Sequence, residues 1–285
     1  MNNLVPVEPV DYLIIGHVTQ DLSPNGPTLG GTASYSALTA KALGLKVGIV
    51  TSFKTGLQLP ELDGISIAAI SNEYTSTFEN IQTSNGRIQY LHHKAPSLNL
   101  SVVPETWRNT PIVHLGPVCQ EVDPNLSKCF PNSFVGLTPQ GWFRGWDSNG
   151  KIHFSEWPES SYVMGNSSAA VLSIEDVRGN EKLIEDMTSF IRVLVITEGA
   201  AGARVYWNGD LRRFRPPQVV EVDPVGAGDI FAAAFFIRLY TTKDPWEAAR
   251  FATQLAANSV TRSGLKGVPT HTEVQSYIME IIPKF

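Results

Sequence analysis

Short and mostly apolar runs recur along the chain, and no other feature restricts its fold as tightly: Tyr12-Leu-Ile-Ile-Gly16, Lys46-Val-Gly-Ile-Val50, Ile112-Val-His-Leu-Gly116, Phe134-Val-Gly-Leu-Thr138, Ala169-Ala-Val-Leu-Ser173 and Val193-Leu-Val-Ile-Thr197. They lack the apolar/polar alternation of a strand with one wet face, so each reads as a strand buried on both sides. Such strands belong to a mainly parallel sheet covered by helices. Between the first two, the small residues Thr32 to Leu43 at helical spacing, stopped by Gly44, predict the helix of a βαβ-like opening. The expected architecture is therefore an α/β class fold, an open three-layer α/β/α sandwich with strands from Tyr12 through Val222.

Other segments have a different texture. Asp21 to Gly31 holds Gly and Pro and reads as loop. Ile65 to His93 is rich in Thr, Ile, Phe and Tyr, with Ser84-Asn85-Gly86 as a hairpin turn, and predicts antiparallel strands outside the main sheet, a small β lid over about 65–93. Trp142 to Trp157 reads equally as a hairpin or an ordered loop. Asp229 to Tyr240 and Pro245 to Arg262 read as helices. The length allows either two modest domains or one large α/β domain, and composition does not choose between them; no internal repeat is present, and a single domain over residues 1–285 is expected.

Composition excludes several function classes. Of 285 residues 42% are hydrophobic, enough for a sizeable core, so disorder is excluded. Lys and Arg number 22 against 27 Asp and Glu, a net charge of −5, which argues against a nucleic-acid partner. No apolar stretch approaches the roughly 18–20 residues of a membrane helix, and the start has no signal-peptide pattern, so a cytoplasmic protein without a membrane partner is expected. The two cysteines, Cys119 and Cys129, are too few for a disulfide framework and read as reduced.

The chemistry is concentrated in Val219-Val-Glu-Val-Asp223-Pro-Val-Gly226-Ala-Gly228-Asp229, followed by an apolar helix. The reading is of a strand turning through Gly-Ala-Gly into the helix. There the N–H groups of Gly226, Ala227 and Gly228 and the helix dipole form an anion cradle suited to a phosphoryl group. Asp229, at the mouth of the helix, is placed to be kept ionised by the dipole and to take a proton from an attacking alcohol; equally, it is a good helix N-cap.

Taken further, DPVGAGDIFAAAFF resembles the second signature of the ribokinase-like (PfkB) carbohydrate kinase family, with Pro224 where Thr is usual. The resemblance implies a ribokinase-like fold, Asp229 as catalytic base and Gly226, Ala227 and Gly228 as anion hole. Gly30-Gly31 opening a small-residue helix is similar to the first signature and implies acceptor contacts for Asp21, Gly30 and Gly31. Tyr35 replaces an Asn common in the family and suggests an altered acceptor pocket. Thr197, Gly199 and Gly202 resemble a turn that lies along nucleotide phosphates. Ser173-Ile-Glu-Asp176 stands in the place of N-x-x-E, which implies Mg²⁺ held through water by Ser173 and Asp176; the alternative is that Ser173 caps a helix starting at Ile174. Asn258 resembles a residue bordering the adenine, and Asp223 one that shares a K⁺ site. The G-D-D-x-x-G usual after the second strand is missing.

The segment Phe134 to Gly150 looks most like plant-type myo-inositol kinases, with Gln140 and Arg144 as further acceptor-binding residues and Thr138 departing from that pattern. Gln offers both a donor and an acceptor to ring hydroxyls, and Arg a fork of donors. The competing reading is a surface loop whose aromatics cover the core. The function expected is an ATP- and Mg²⁺-dependent transferase phosphorylating a small polyol or sugar, myo-inositol first, with a homodimer formed through the lid. The alternatives are a ribose or nucleoside kinase of the same family and a non-catalytic sugar or nucleotide sensor. A Rossmann dehydrogenase is excluded because no G-x-G-x-x-G follows the first strand.

Overall fold

The computed structural model of the protein describes residues 7–24, 26–83 and 86–278. Its strands are β1 (Tyr12–Ile15), β2 (Thr19–Leu22), β3 (Thr28–Gly30), β4 (Val47–Lys54), β5 (Ser66–Asn72), β6 (Ser76–Thr83), β7 (Gly86–His93), β8 (Ile112–Leu115), β9 (Phe134–Leu137), β10 (Arg144–Trp146), β11 (Ile152–Phe154), β12 (Ala169–Ser173), β13 (Val193–Thr197), β14 (Ala203–Trp207) and β15 (Asp210–Phe214). Its helices are α1 (Thr32–Ala42), α2 (Ser160–Gly165), α3 (Glu181–Thr188), α4 (Ala227–Thr242), α5 (Pro245–Ser259) and α6 (His271–Tyr277).

The doubly buried runs form one nine-stranded sheet in the order β15-β14-β13-β12-β9-β8-β1-β4-β5. It is parallel from β5 to β13, and the β13–β14–β15 meander closes the far edge antiparallel. Every residue of β1 and β8 is buried. One face packs on α1, α4 and α5. The other packs on α2, α3 and loop aromatics such as Trp107 and Phe130. Helix α4 is apolar around its whole circumference, with Ile230 to Ile237 buried, because it lies between the sheet, α1 and α5. The result is the expected three-layer sandwich.

A second sheet, β3-β2-β6-β7, makes the lid. Here the sequence reading needs correction. Residues 21–31 are not all loop, since β2 and β3 come from within and beside them; strands of three and four residues, paired with a distant segment, leave no legible alternation. Only residues from Ser76 onward in the 65–93 region reach the lid, because β5 instead extends the main sheet in parallel register beside β4. The pairing of β6 with β7 is antiparallel as expected, while Ser84 and Asn85 of the proposed turn lie outside the described residues. A buried cluster fastens the lid to the sheet. The His17 ring meets Ser76 Oγ at 2.7 Å and the Pro96 carbonyl at 2.9 Å, and Glu121 accepts backbone N–H groups of His17, Val118 and Cys119.

Four further expectations resolve. Trp142 to Trp157 is a hairpin, β10 paired with β11. Val219 to Asp223 is not a strand: Val222 and Asp223 donate to the Val260 carbonyl instead of to a neighbouring strand, and Val220 is 82% exposed. Residues 174–179 form turns rather than a helix; the next helix, α3, starts at Glu181 under an Asn180 cap. Both cysteines are unbridged.

Candidate active site

The carboxyl ends of the parallel strands, the lid and the turn before α4 enclose one cleft of about 1420 Å³. That is where an open α/β sheet binds its ligands. Of the residues singled out in the sequence, Asp21, Gly31, Tyr35, Gln140, Arg144, Ser173, Asp176, Thr197, Gly199, Gly202 and Gly226 to Asp229 all line it. Asp21 and Asp229 face the same space.

Asp21 enters from β2 of the lid, beside Gly30. A side chain at Gly30 would collide with the Asp21 carboxylate, so this glycine leaves the carboxylate room rather than lining the cleft itself. Gly31 then breaks the chain between β3 and α1 with φ 86°, and a Cβ there would stand 2.7 Å from the His17 carbonyl oxygen.

On the opposite wall Gly226 caps α4 in the left-handed region, φ 80°. The Tyr35 ring lies directly against it, and a methyl added at Gly226 would overlap that ring. This corrects the placement of Tyr35. Its phenol is only 3% exposed and its ring supports the glycine turn instead of offering a stacking face to an acceptor. Burial first, and then the carboxylates of Asp229, Asp223 and Asp21, push its pKa up, so the phenol stays neutral.

Asp229 occupies the first turn of α4. Its Oδ1 accepts a 2.7 Å hydrogen bond from the Thr32 hydroxyl. Desolvation by the surrounding walls pushes its pKa up to about 6. The Thr32 bond and the Arg144 charge pull it down, while Asp176 and Asp21 push it up. Burial is thus the largest influence on this carboxyl, one that the expectation from sequence did not include. The carboxyl nevertheless remains about nine-tenths ionised at neutral pH.

Gln140 and Arg144 stand on the turn leading into the β10–β11 hairpin. Gln140 Nε2 is 2.8 Å from Thr32 Oγ1, and Arg144 Nη2 is 2.9 Å from Gln140 Oε1. Asp176 Oδ2 accepts the Ser173 N–H at 2.8 Å, and Ser173 Oγ accepts that of Glu175, so the pair shapes a turn whose carboxylates border the cleft. Gly199 and Gly202, at φ 54° and 96°, bend the β13–β14 connection along the same wall.

Two expected residues stand elsewhere. Asn258 is turned by α5 toward the Tyr277 hydroxyl at 2.8 Å, and the cleft wall there is made by Ala256, Ala257 and Val260. Asp223 binds the loops together, accepting from the Val225 and Gly264 N–H groups and the Ser263 hydroxyl. Sequence reasoning missed Thr32, whose position at the start of a helix concealed its role. It also missed Arg178, a cleft residue held at φ 52° and stacked 5.2 Å from the Phe154 ring.

The model of the pfkB family carbohydrate kinases matches residues 163–272, the span that carries the Ser173–Asp176 turn, the Thr197–Gly202 turn and the α4 entrance. Over those residues the chain is similar to the pfkB family carbohydrate kinases. It is 26% identical over 260 residues to the cytidine kinase of Thermococcus kodakarensis, covering 79% of this chain and 87% of that protein. It is 36% identical over 90 residues to the inositol 3-kinase of Zea mays, covering 31% of this chain and 23% of that protein. Among solved structures, a pyrophosphate-dependent kinase in the ribokinase family, complexed with a pyrophosphate analog and myo-inositol, superposes with TM-score 0.78 at 20% identity over 94% of this chain and 100% of that one. The fold is thus ribokinase-like. The lid, the Gly30-Gly31 turn and the Gln140–Arg144 turn lie outside the matched span.

Proposed function

We propose that the protein is an ATP-dependent kinase that phosphorylates a hydroxyl of a small polyol, with myo-inositol as the favoured acceptor. One observation carries this reading. Asp229 has one oxygen held by Thr32, while Oδ2 has no hydrogen-bond partner among the described residues, and it lies beside the Gly226–Gly228 turn and across the cleft from Asp21. A carboxylate so placed takes the proton of an acceptor hydroxyl at Oδ2 as the acceptor oxygen forms its bond to the γ-phosphorus. The bond from that phosphorus to the bridging oxygen breaks, and ADP leaves with the electron pair. The N–H groups of Gly226 and Gly228, at the mouth of α4, are the donors left for the charge that develops on the transferring group, since that of Ala227 donates to the Pro224 carbonyl at 3.3 Å.

The donor is read as a nucleotide because the cleft extends past the glycine turn to an apolar wall of Ala256, Ala257 and Val260. In the same wall the buried Thr253 hydroxyl has no partner of its own. Pyrophosphate would leave that region empty. Carboxylates on the Glu175–Asp176 turn suit a hydrated Mg²⁺, which when bound neutralises donor phosphate charge. Asp223 suits a K⁺ ion less well, because both of its oxygens already accept from loop groups.

Asp21, Gln140 and Arg144 are the acceptor-facing polar groups, and the likeness to inositol 3-kinase supports a cyclitol. The longer match to a cytidine kinase favours a nucleoside as the second reading. Turnover of ATP and of pyrophosphate across myo-inositol, ribose, fructose 6-phosphate, adenosine and cytidine tests the assignment. Myo-inositol with ATP should give the highest kcat/KM; cytidine or ribose exceeding every cyclitol would transfer the acceptor assignment to the second reading. Asp229→Asn should lower turnover by roughly 10²–10⁴-fold, and near-normal turnover would return Asp229 to the role of helix cap.

A further inference from the structure

Thr32, at the start of α1, and Gln140 and Arg144, on one turn more than 100 residues later, form a single file of hydrogen bonds ending on Asp229. The direction of every bond in the file is fixed by its far end. Arg144 carries only donors, and its Nη1 is already anchored on the Val118 carbonyl at 2.9 Å. The group of Gln140 that faces Nη2 must therefore be the carbonyl Oε1, at 2.9 Å. That orients the Gln140 amide so that Nε2 donates to Thr32 Oγ1 at 2.8 Å. With its oxygen occupied as acceptor, Thr32 has one proton left to place, and Asp229 Oδ1 stands 2.7 Å away.

We infer that Arg144, Gln140 and Thr32 form a positioning relay that commits the Thr32 proton to Asp229 Oδ1, so that Oδ2 alone is presented to the acceptor hydroxyl. This deepens the reading of Asp229 as the base and rests on it. Without the relay the carboxylate is free to rotate about its Cβ–Cγ bond, and either oxygen meets the acceptor in a less productive geometry. With it, the charged form gains a charge-assisted hydrogen bond that the protonated form keeps only in weakened, neutral form.

The relay also accounts for Thr at position 32. The residue is fully buried, its methyl stands 2.7 Å from where a Cβ would lie on Gly116, and its hydroxyl is thereby held toward α4. Serine could make the same bond, and valine would fill the same space without it. The groups facing Asp229 are known from each neighbouring element: Asp21 on β2, Tyr35 on α1, Arg144 on β10, Asp176 on the turn after β12 and Tyr12 on β1. Burial keeps the Tyr12 phenol neutral, as it does that of Tyr35, so a change of charge state near neutral pH belongs to Asp229 itself.

The test reads the Asp229 carboxyl directly, in the unliganded full chain labelled with ¹³C at aspartate side-chain carboxyls, using Asp229→Asn to assign its resonance. The wild-type midpoint should lie near pH 6. Thr32→Val should raise it by roughly one unit, a tenfold gain in proton affinity, while Thr32→Ser should leave it within about 0.3 unit. Gln140→Leu, at the cleft surface and independent of packing around Thr32, should raise it by less and should add nothing in a Thr32→Val background. An unmoved midpoint in Thr32→Val would overturn the relay, and so would full additivity of the two changes. Turnover of Asp229→Asn with ATP and myo-inositol separates the two ideas, since normal turnover there removes the base while leaving the titration to judge the hydrogen bonds.

Discussion

Gly226 and Gly228 are two residues apart in one turn, yet the surroundings of each predict opposite outcomes when a single methyl is added. At Gly226 the backbone has φ 80° and the new Cβ would overlap the Tyr35 ring. A left-handed backbone costs an L-residue about 1–2 kcal/mol. Forcing a methyl against a packed aromatic adds about 1–3 kcal/mol. Gly226→Ala should therefore lose about 2–5 kcal/mol of stability, and the relaxation that relieves the clash displaces the anion-binding N–H groups. A misplacement of the order of 1 Å costs roughly 10²-fold in turnover. At Gly228, inside α4, the added Cβ meets nothing within 4 Å. Ala is the better helix former by up to about 1 kcal/mol, so Gly228→Ala should melt no lower than the wild type. Its methyl nevertheless projects into the cleft at the anion cradle and should also depress turnover. Differential scanning calorimetry beside a coupled ADP-release assay separates the two effects. Equal melting temperatures for the two variants would refute the packing argument, and a fully active Gly228→Ala would refute the placement of the phosphoryl group.

The remaining predictions concern charge. Burial raises the folded-state pKa of Asp229 above its unfolded value of 3.8, so the stability linked to this group is complete below about pH 4 and lost as pH rises through about 6. Asp229→Asn should then match the wild type in thermal stability near pH 4 and exceed it at pH 8 by on the order of 2 kcal/mol, a few degrees in Tm; no gain at pH 8 would contradict the desolvation argument. The same titration gives kcat an acid limb near pH 6, which Asp229→Asn should abolish; a limb near pH 4 would show a carboxylate more hydrated than the cleft suggests. Asp21→Asn should raise the acceptor KM by about 10–100-fold, the worth of a hydrogen bond to a charged group, without changing that of ATP, and a change in the ATP KM instead would remove Asp21 from the acceptor site.

The sequence exposed whatever is written in contiguous residues. The Gly226–Asp229 turn, the Gly30-Gly31 turn and the doubly buried strands are local patterns with local physical causes; in the structure the strands form the sheet, and Gly31 and Gly226 to Asp229 border the cleft while Gly30 does not. What stayed hidden depends on distant partners. Thr32 meets Asp229 across 197 positions and Gln140 across 108, and nothing beside Thr32 distinguishes it from a helix start. Strands β2 and β3 exist only because β6 supplies a partner for β2. The reverse error has the same origin: Val219 to Asp223 has strand-forming residues, but its N–H groups go to the Val260 carbonyl and not to a strand. Asn258 was assigned by its place in a motif, while the rotation of α5 that carries it to Tyr277 depends on α6 packing beside it.

The joint between the lid and the first helix is one residue long. Strand β3 ends at Gly30 and α1 begins at Thr32, leaving only Gly31 between them. A strand that helps roof the acceptor space and the hydroxyl that aligns Asp229 are thus connected rigidly, with no slack chain to absorb a displacement of either. The place of the lid and the place of Thr32 are thus linked through one residue. On the reading proposed above, a shift of the roof would be passed through this joint to the hydroxyl that aligns Asp229, and a water entering an unroofed cleft would meet a less well aligned base.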